Sequence, residues 1–357
     1  MIRDKDYKDF SSRWERLSKR MPIYGTIELT YKCNYDCIHC YAKGQAKDEK
    51  EPSFWKDIIS QVRDLGGIEI TFSGGDPLLY PGFKEVYLYA KTNGFLIHLF
   101  TAGWAIDKEI LDFLKEHPPL SIEITLNSLE PDNYARITRA KGTFDTVMEN
   151  ILRIKEAGLP LVLKANGLKE NKDEILKIKA FTDGLLGEGK FKFDSFIFPC
   201  LNGDKVALEH RLSAEEIIAI EKSDSQMLKQ RRDQLKHNDE LFNPSGLYHC
   251  NSCMMNYFIN PQGILQFCHL SKKYSTDLTK EKFNHGFKKF LGIFKEKYKT
   301  KSRCINCLYR KECYQCPARA YLEQADEEAP VEYYCQLARA TKNFLEELKQ
   351  DGVRSQV

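Results

Sequence analysis

Apolar positions in the first two thirds of the chain recur with two periods in turn. Short runs rich in Ile, Leu, Phe and Thr alternate with longer stretches whose apolar residues fall three and four apart. The pattern predicts strands at 23–30, 68–72, 95–100, 120–126, 159–164 and 193–199, and helices at 54–65, 83–92, 107–116, 144–157, 173–185 and from 214 onward. Strand and helix repeated in this way require parallel strands joined by right-handed crossovers, so the expected fold class is α/β, as a barrel or an open doubly wound sheet. In either arrangement the chemistry gathers at the carboxyl ends of the strands. Residues 208–241 are charged and predicted helical, an Asn-Pro-Ser-Gly run at 243–246 marks a break, and the first 22 residues read as one amphipathic helix. The expected division is 1–22, 23–235, 236–345 and a tail at 346–357. The basic stretch 229–236 reads as a solvated helix face.

Cysteine changes the picture. The chain has 12, and all but Cys200 fall into two blocks. Cys33, Cys37 and Cys40 form C-x3-C-x2-C directly after the first strand; Cys250, Cys253, Cys268, Cys304, Cys307, Cys313, Cys316 and Cys335 crowd the last third. Three thiolates can hold three irons of a 4Fe-4S cube and leave the fourth iron open, while the second block has the ligands to close two further clusters. Zinc is the alternative for the C-terminal block alone, where the two C-x2-C pairs suit a ribbon; in the first block the fourth ligand is missing. Disulfides are not expected. No apolar signal segment opens the sequence and a chain of this length buries a core without staples, so a reduced, cytoplasmic setting is expected. A formal charge of +3 on 357 residues gives no reason to expect nucleic acid, and no apolar run is long enough to span a membrane.

The strand-end rule sorts the remaining signals. Ser73-Gly74-Gly75-Asp76-Pro77 follows the second strand; alone such a run makes a turn, but beside an open cluster its two glycines let backbone approach a ligand and Asp76 offers oxygens to an ammonium group. Thr101-Ala102-Gly103 ends the third strand, and Thr125, Asn127 and Ser128 end the fourth. Cys200, placed at the end of the sixth strand, reads either as a buried free thiol or as a group facing the barrel mouth, able to give substrate a proton or hydrogen.

Taken in this order, these motifs resemble a radical S-adenosylmethionine (SAM) enzyme with a C-terminal SPASM domain, over residues 23–343. The resemblance rests on the three-cysteine motif with the following Tyr41, the GGDP loop and strand order, and, beyond them, on Gly263-x4-Cys268, Cys304-x2-Cys307-x5-Cys313-x2-Cys316 and Cys335. It implies a partial (β/α)6 radical SAM barrel with a small cysteine-rich SPASM domain, SAM as cofactor and three [4Fe-4S] clusters. Cys33, Cys37 and Cys40 would hold the SAM-binding cluster; Cys250, Cys253, Cys268 and Cys316 an auxiliary cluster near the active site; and Cys304, Cys307, Cys313 and Cys335 an outer one. Ser73 and Gly74 to Asp76 would take the methionyl ammonium, Thr125 and Asn127 the ribose, Arg136 the SAM carboxylate, and Asn166 the ribose or methionine. Thr101 would complete the third-strand loop, and the backbone of Ile38, His39 and Tyr41 would run along the adenine. The resemblance further implies cleavage of SAM to a 5'-deoxyadenosyl radical and hydrogen abstraction from a ribosomally made peptide, giving crosslinking, oxidation or epimerisation. A flavodoxin- or ferredoxin-type electron donor would supply the reducing equivalent. A winged-helix peptide-recognition domain has no counterpart in the sequence, so recognition is expected from a separate protein or from the barrel rim and SPASM domain. A sulfatase-maturing or cofactor-maturing enzyme is the alternative within the same chemistry; a non-catalytic electron carrier or zinc module is the alternative outside it, against which the GGDP loop and the six βα repeats argue.

Overall fold

The computed structural model describes residues 21–240, 246–248, 255–271 and 273–354. Most of the expected N-terminal helix, most of the break at 243–246, and the ligand candidates Cys250 and Cys253 lie outside the described residues. Six strands and their crossovers follow one another: β1 (Tyr24–Thr30), α1 (Pro52–Asp64), β2 (Glu69–Gly74), α2 (Phe83–Thr92), β3 (Leu96–Thr101), α3 (Lys108–Glu116), β4 (Ser121–Thr125), α4 (Pro131–Thr138), α5 (Phe144–Glu156), β5 (Leu161–Asn166), α6 (Ile175–Leu186) and β6 (Phe191–Asp194). Each neighbouring pair from β1 to β6 is parallel. The sheet stays open, as a partial barrel.

Alternation along the strands separates two faces. Ile27, Ile70, Phe72, Ile97, Leu99, Ile122, Ile124 and Leu163 are fully buried against Trp55, Val86, Tyr87 and Ile151 of the helices. Each such side chain contributes roughly 1.5–3 kcal/mol by leaving water. The opposite, concave face carries Thr26, Glu28, Glu69, Thr71, His98, Phe100, Glu123 and Lys192, and between its polar groups lies a cavity of about 230 Å³.

Three differences from the predicted elements have physical causes. The sixth strand runs over Phe191–Asp194 and not to residue 199, because Asp194 Oδ1 accepts the Phe196 N–H at 2.9 Å and turns the chain away. The apolar residues beyond it cover the C-terminal block: Phe196 packs against Tyr314 with centroids 5.0 Å apart, and Phe198 joins a buried cluster with Leu201, Leu270, Ala318 and Leu322. Pro131–Thr138 forms a helix with proline in its first turn. The expected solvated face at 229–236 turns one residue inward, since Arg231 is buried and pairs with Glu221 through two hydrogen bonds of 2.7 and 2.6 Å.

The C-terminal block extends the same sheet. After α7 (Ala214–Lys222) and α8 (Ser225–Glu240), β7 (Asn256–Ile259) pairs in parallel with β1, and β8 (Ile264–Gln266) and β9 (Thr276–Asp277) follow as antiparallel neighbours. The nine strands run β6-β5-β4-β3-β2-β1-β7-β8-β9. Then come α9 (Phe283–Phe290), α10 (Pro317–Gln324) and α11 (Glu332–Arg354). Arg211, just ahead of α7, forms a buried bidentate pair with Glu323 of α10 at 2.9 and 2.6 Å, and donates to the Ile197 carbonyl at 2.8 Å.

Candidate cluster and cofactor site

The loop holding Cys33, Cys37 and Cys40 leaves the carboxyl end of β1 and is fastened from three directions. Asp36 N–H donates to Thr138 O at 3.1 Å and Ile38 N–H to Ile137 O at 3.0 Å, tying the loop to the end of α4. The Tyr35 and Tyr134 hydroxyls share a hydrogen bond of 3.0 Å. Leu201 N–H donates to Tyr41 O at 2.8 Å on the far side, and Glu49 takes hydrogen bonds from Thr30 Oγ1 and Lys32 Nζ near the strand end. Within the loop Tyr35 N–H points at Cys33 Sγ, 3.4 Å away.

The thiols fit a cluster by their chemistry. Burial pushes Cys33 up to about 11 and raises Cys37 and Cys40 as well, and Cys37 is raised further by the neighbouring Cys40 and Cys33. Three half-buried sulfurs that would repel one another as thiolates suit a group that supplies the missing positive charge. His39 Nδ1 is buried beside them without a partner among the described residues. Burial and the nearby His210 hold His39 down to about 4, so it is neutral.

The GGDP segment is built for backbone contact. A β-carbon at Gly74, where φ is +126°, would overlap Thr30 O, and one at Gly75 would overlap Lys32 O. Asp76 is buried, and its carboxylate is taken up by the fold: Oδ1 accepts from Leu78 N at 3.1 Å, Oδ2 from Thr101 Oγ1 at 2.8 Å and from Ala102 N at 3.1 Å. It holds the loops after β2 and β3 together. Asn127 does the same for the next pair, accepting Asn166 N–H on its Oδ1 at 2.8 Å, while Asn171 Nδ2 donates to the carbonyls of both Asn127 and Asn166. Asn171 and Glu174, which binds Ser128 Oγ at 2.7 Å and Leu129 N at 2.9 Å, carry no motif in the sequence. Thr125 ends β4 half-buried and Ser73 stands half-buried in β2. Arg136 lies exposed on α4, hydrogen-bonded to Asn133 Oδ1 at 2.7 Å. Cys200 lies six residues beyond the end of β6; it is buried, and its thiol points at Cys40 O, 3.5 Å away.

Glu28, silent in the sequence, is buried at the strand end and accepts the Tyr41 hydroxyl at 2.6 Å. Burial raises it to about 7 against the lowering effect of Tyr41 and Tyr31. A wall runs on from there. The Tyr41 ring meets His269 at 5.5 Å, His269 meets Phe198 at 6.4 Å, and the Arg319 guanidinium lies over Phe198 and Phe196 at 4.9 and 4.7 Å. Lys164 on β5 sits 3.3 Å over the Phe100 ring and 3.3 Å from Glu123, which also takes Lys192 at 2.6 Å.

In the C-terminal block Cys304, Cys307, Cys313 and Cys335 lie within electrostatic reach of one another. Gln315 Nε2 and Arg303 Nη2 each approach a thiol, Cys304 and Cys335 respectively, at 3.7 Å. Cys268 and Cys316 both act on Arg319 and pack on one apolar cluster, with Cys316 at the residue preceding α10. Beside them is a cavity of about 540 Å³ bordered by Leu270, Ser271, Ala318 and Tyr321.

Residues 27–182 match the model of the Radical SAM superfamily. PqqA peptide cyclase of Xanthomonas axonopodis pv. citri (strain 306) is 25% identical over 157 residues, which is 43% of this chain and only 42% of that protein's length. Among solved structures, Streptococcus suis SuiB bound to precursor peptide SuiA aligns with a TM-score of 0.70 at 15% identity, over 93% of this chain and 80% of that one. Native anSMEcpe with bound AdoMet and Cp18Cys peptide gives 0.67 at 14%, over 94% and 100%. At these identities the structural likeness is one of fold. Residues 27–182 of this chain are therefore a radical SAM domain, carried on a partial-barrel fold shared with SuiB and anSMEcpe.

Proposed function

We propose that the protein is a radical SAM maturase that reductively cleaves S-adenosylmethionine and uses the 5'-deoxyadenosyl radical to take hydrogen from a ribosomally synthesised peptide. The observation that carries this reading is the convergence, at one strand-end rim, of the three half-buried thiols Cys33, Cys37 and Cys40 with the backbone cradle at Gly74 and Gly75. In this reading those thiols would hold a 4Fe-4S cluster with SAM bound beside it. Bound there, cluster and SAM supply one-electron reduction of a sulfonium and hydrogen-atom abstraction.

The chain's own residues supply position. Asp76 fixes the loops after β2 and β3 so that their backbone faces the ligand, Gly74 and Gly75 leave room for close approach, and Asn127 with Asn171 fixes the ends of β4 and β5. Arg136 has guanidinium N–H groups left over for a carboxylate. Cys250, Cys253, Cys268 and Cys316 would hold one auxiliary cluster, and Cys304, Cys307, Cys313 and Cys335 a second, giving an outlet for the electron that peptide oxidation releases. A peptide substrate is supported by the precursor peptide on SuiB, the Cp18Cys peptide on anSMEcpe and the match to PqqA peptide cyclase. Among the described residues no helix is long and apolar enough to cross a membrane.

The test is anaerobic reconstitution followed by turnover. About twelve irons per chain are expected from three four-iron clusters, and dithionite with SAM should yield 5'-deoxyadenosine. Peptides encoded beside the gene should lose about two mass units per crosslink, as a net two-electron oxidation requires, or gain solvent deuterium at Cα if epimerised. Zinc in the C-terminal block would defeat the three-cluster assignment. Transformation of a small metabolite, with every such peptide unchanged, would defeat the peptide reading.

A further inference from the structure

The loop carrying Cys304 and Cys307 ends in a bare leucine set among cations. Leu308 is 82% exposed, the highest value for a large apolar side chain among the described residues. Residues 295–311 contain seven Lys or Arg and a single Glu, in a chain whose formal charge is only +3. Four cations are fastened around the loop. Arg303 Nη2 lies 3.7 Å from Cys335 Sγ and 2.9 Å from Glu332, and Arg339 holds the other Glu332 oxygen at 2.7 Å. Lys342 Nζ lies 3.4 Å from Leu308 O, and Arg310 donates to Ile305 O at 3.3 Å. Glu332 offsets one of the four. The result is a positive rim around an apolar point, one residue away from Cys307.

Resting on the reading of Cys304, Cys307, Cys313 and Cys335 as cluster ligands, we propose that this face docks an acidic one-electron carrier protein. Its cations steer a negatively charged partner and set its orientation, and Leu308 provides apolar area to bury once contact is made. Arg303 touches both the surface and a ligand sulfur, so the docking site and the redox site share a side chain; an N–H beside that sulfur favours the reduced state. Each oxidation of the peptide removes two electrons and two protons: one of each leaves as the abstracted hydrogen atom, the second proton passes to solvent, and the second electron passes at this face to the carrier, which is reduced by one equivalent. No covalent bond changes in the transfer.

The experiment uses the full reconstituted chain, with flavodoxin as the acidic carrier and methyl viologen as a small cationic control. Electron exchange is followed by stopped-flow absorbance in wild type, Leu308→Asp and the double variant Arg339→Glu/Lys342→Glu. Each variant should exchange with flavodoxin about tenfold more slowly at low salt, the scale of lost steering, and the wild-type rate should fall as salt is raised. Exchange with methyl viologen and iron content should not change. Variants that match wild type with flavodoxin overturn the proposal, as does loss of peptide affinity with flavodoxin exchange intact, which would assign the face to peptide. A wild-type iron content lacking the C-terminal share overturns the cluster reading itself, and iron analysis reports that failure separately from the kinetics.

Discussion

A β-carbon at Gly75 has nowhere to go but the Lys32 carbonyl, one residue before Cys33. Gly75→Ala should therefore disturb cluster and SAM site together: iron should fall by up to about a third, the share of one cluster in three, and SAM affinity should fall with it. Iron analysis alongside equilibrium binding checks this, and full iron with weak SAM binding would confine the role of Gly75 to the ligand. Glu123 gives a pH signature. Burial opposes its ionisation, but Lys164 and Lys192 outweigh that and hold it below its ordinary 4.5. A carboxylate with a depressed folded value stabilises the protein above its unfolded value and loses that contribution as pH falls through the folded one. Glu123→Gln should thus be less stable than wild type at neutral pH, with the gap in urea midpoint closing below about pH 4. The cysteine loop after β1 and the GGDP turn after β2 could be placed at strand ends from the sequence because their spacing is local. Glu28, Asn171 and Arg319 could not, because each earns its place through a partner distant in sequence.

Among the elements, the six βα repeats were legible from periodicity because each strand buries one face against its own crossover helix. The end of β6 was not: residues 196–199 are apolar because Tyr314, Ala318 and Leu322 cover them, a contact the local pattern cannot distinguish from a sheet. The joint between Arg211 and α10 is the most testable of these contacts. Arg211→Ala leaves Glu323 buried and unpaired and should cost about 3–5 kcal/mol. Replacing both partners, as Arg211→Met with Glu323→Leu, should recover most of that loss in chemical unfolding. Equal losses in single and double variants would show that packing of Arg211 against the Tyr333 ring, 4.3 Å away, matters more than the charge pair.

For the molecule as a whole, the sheet makes one body of what the cysteine pattern divides in two. β7 covers the flank of β1, so residues 21–240 expressed alone would present an open strand edge. That fragment should self-associate, as light scattering would show; a monodisperse monomer would mean that the radical SAM domain closes its own edge. Sequence gave no hint of the pairing, since parallel partners this far apart share no turn. The same pairing also sets an order in time. A ribosome releases β1 early and β7 only after every crossover helix has been made, so the nascent cysteine loop waits on a strand with one side unsealed. Arrival of the C-terminal block is the step that closes that side.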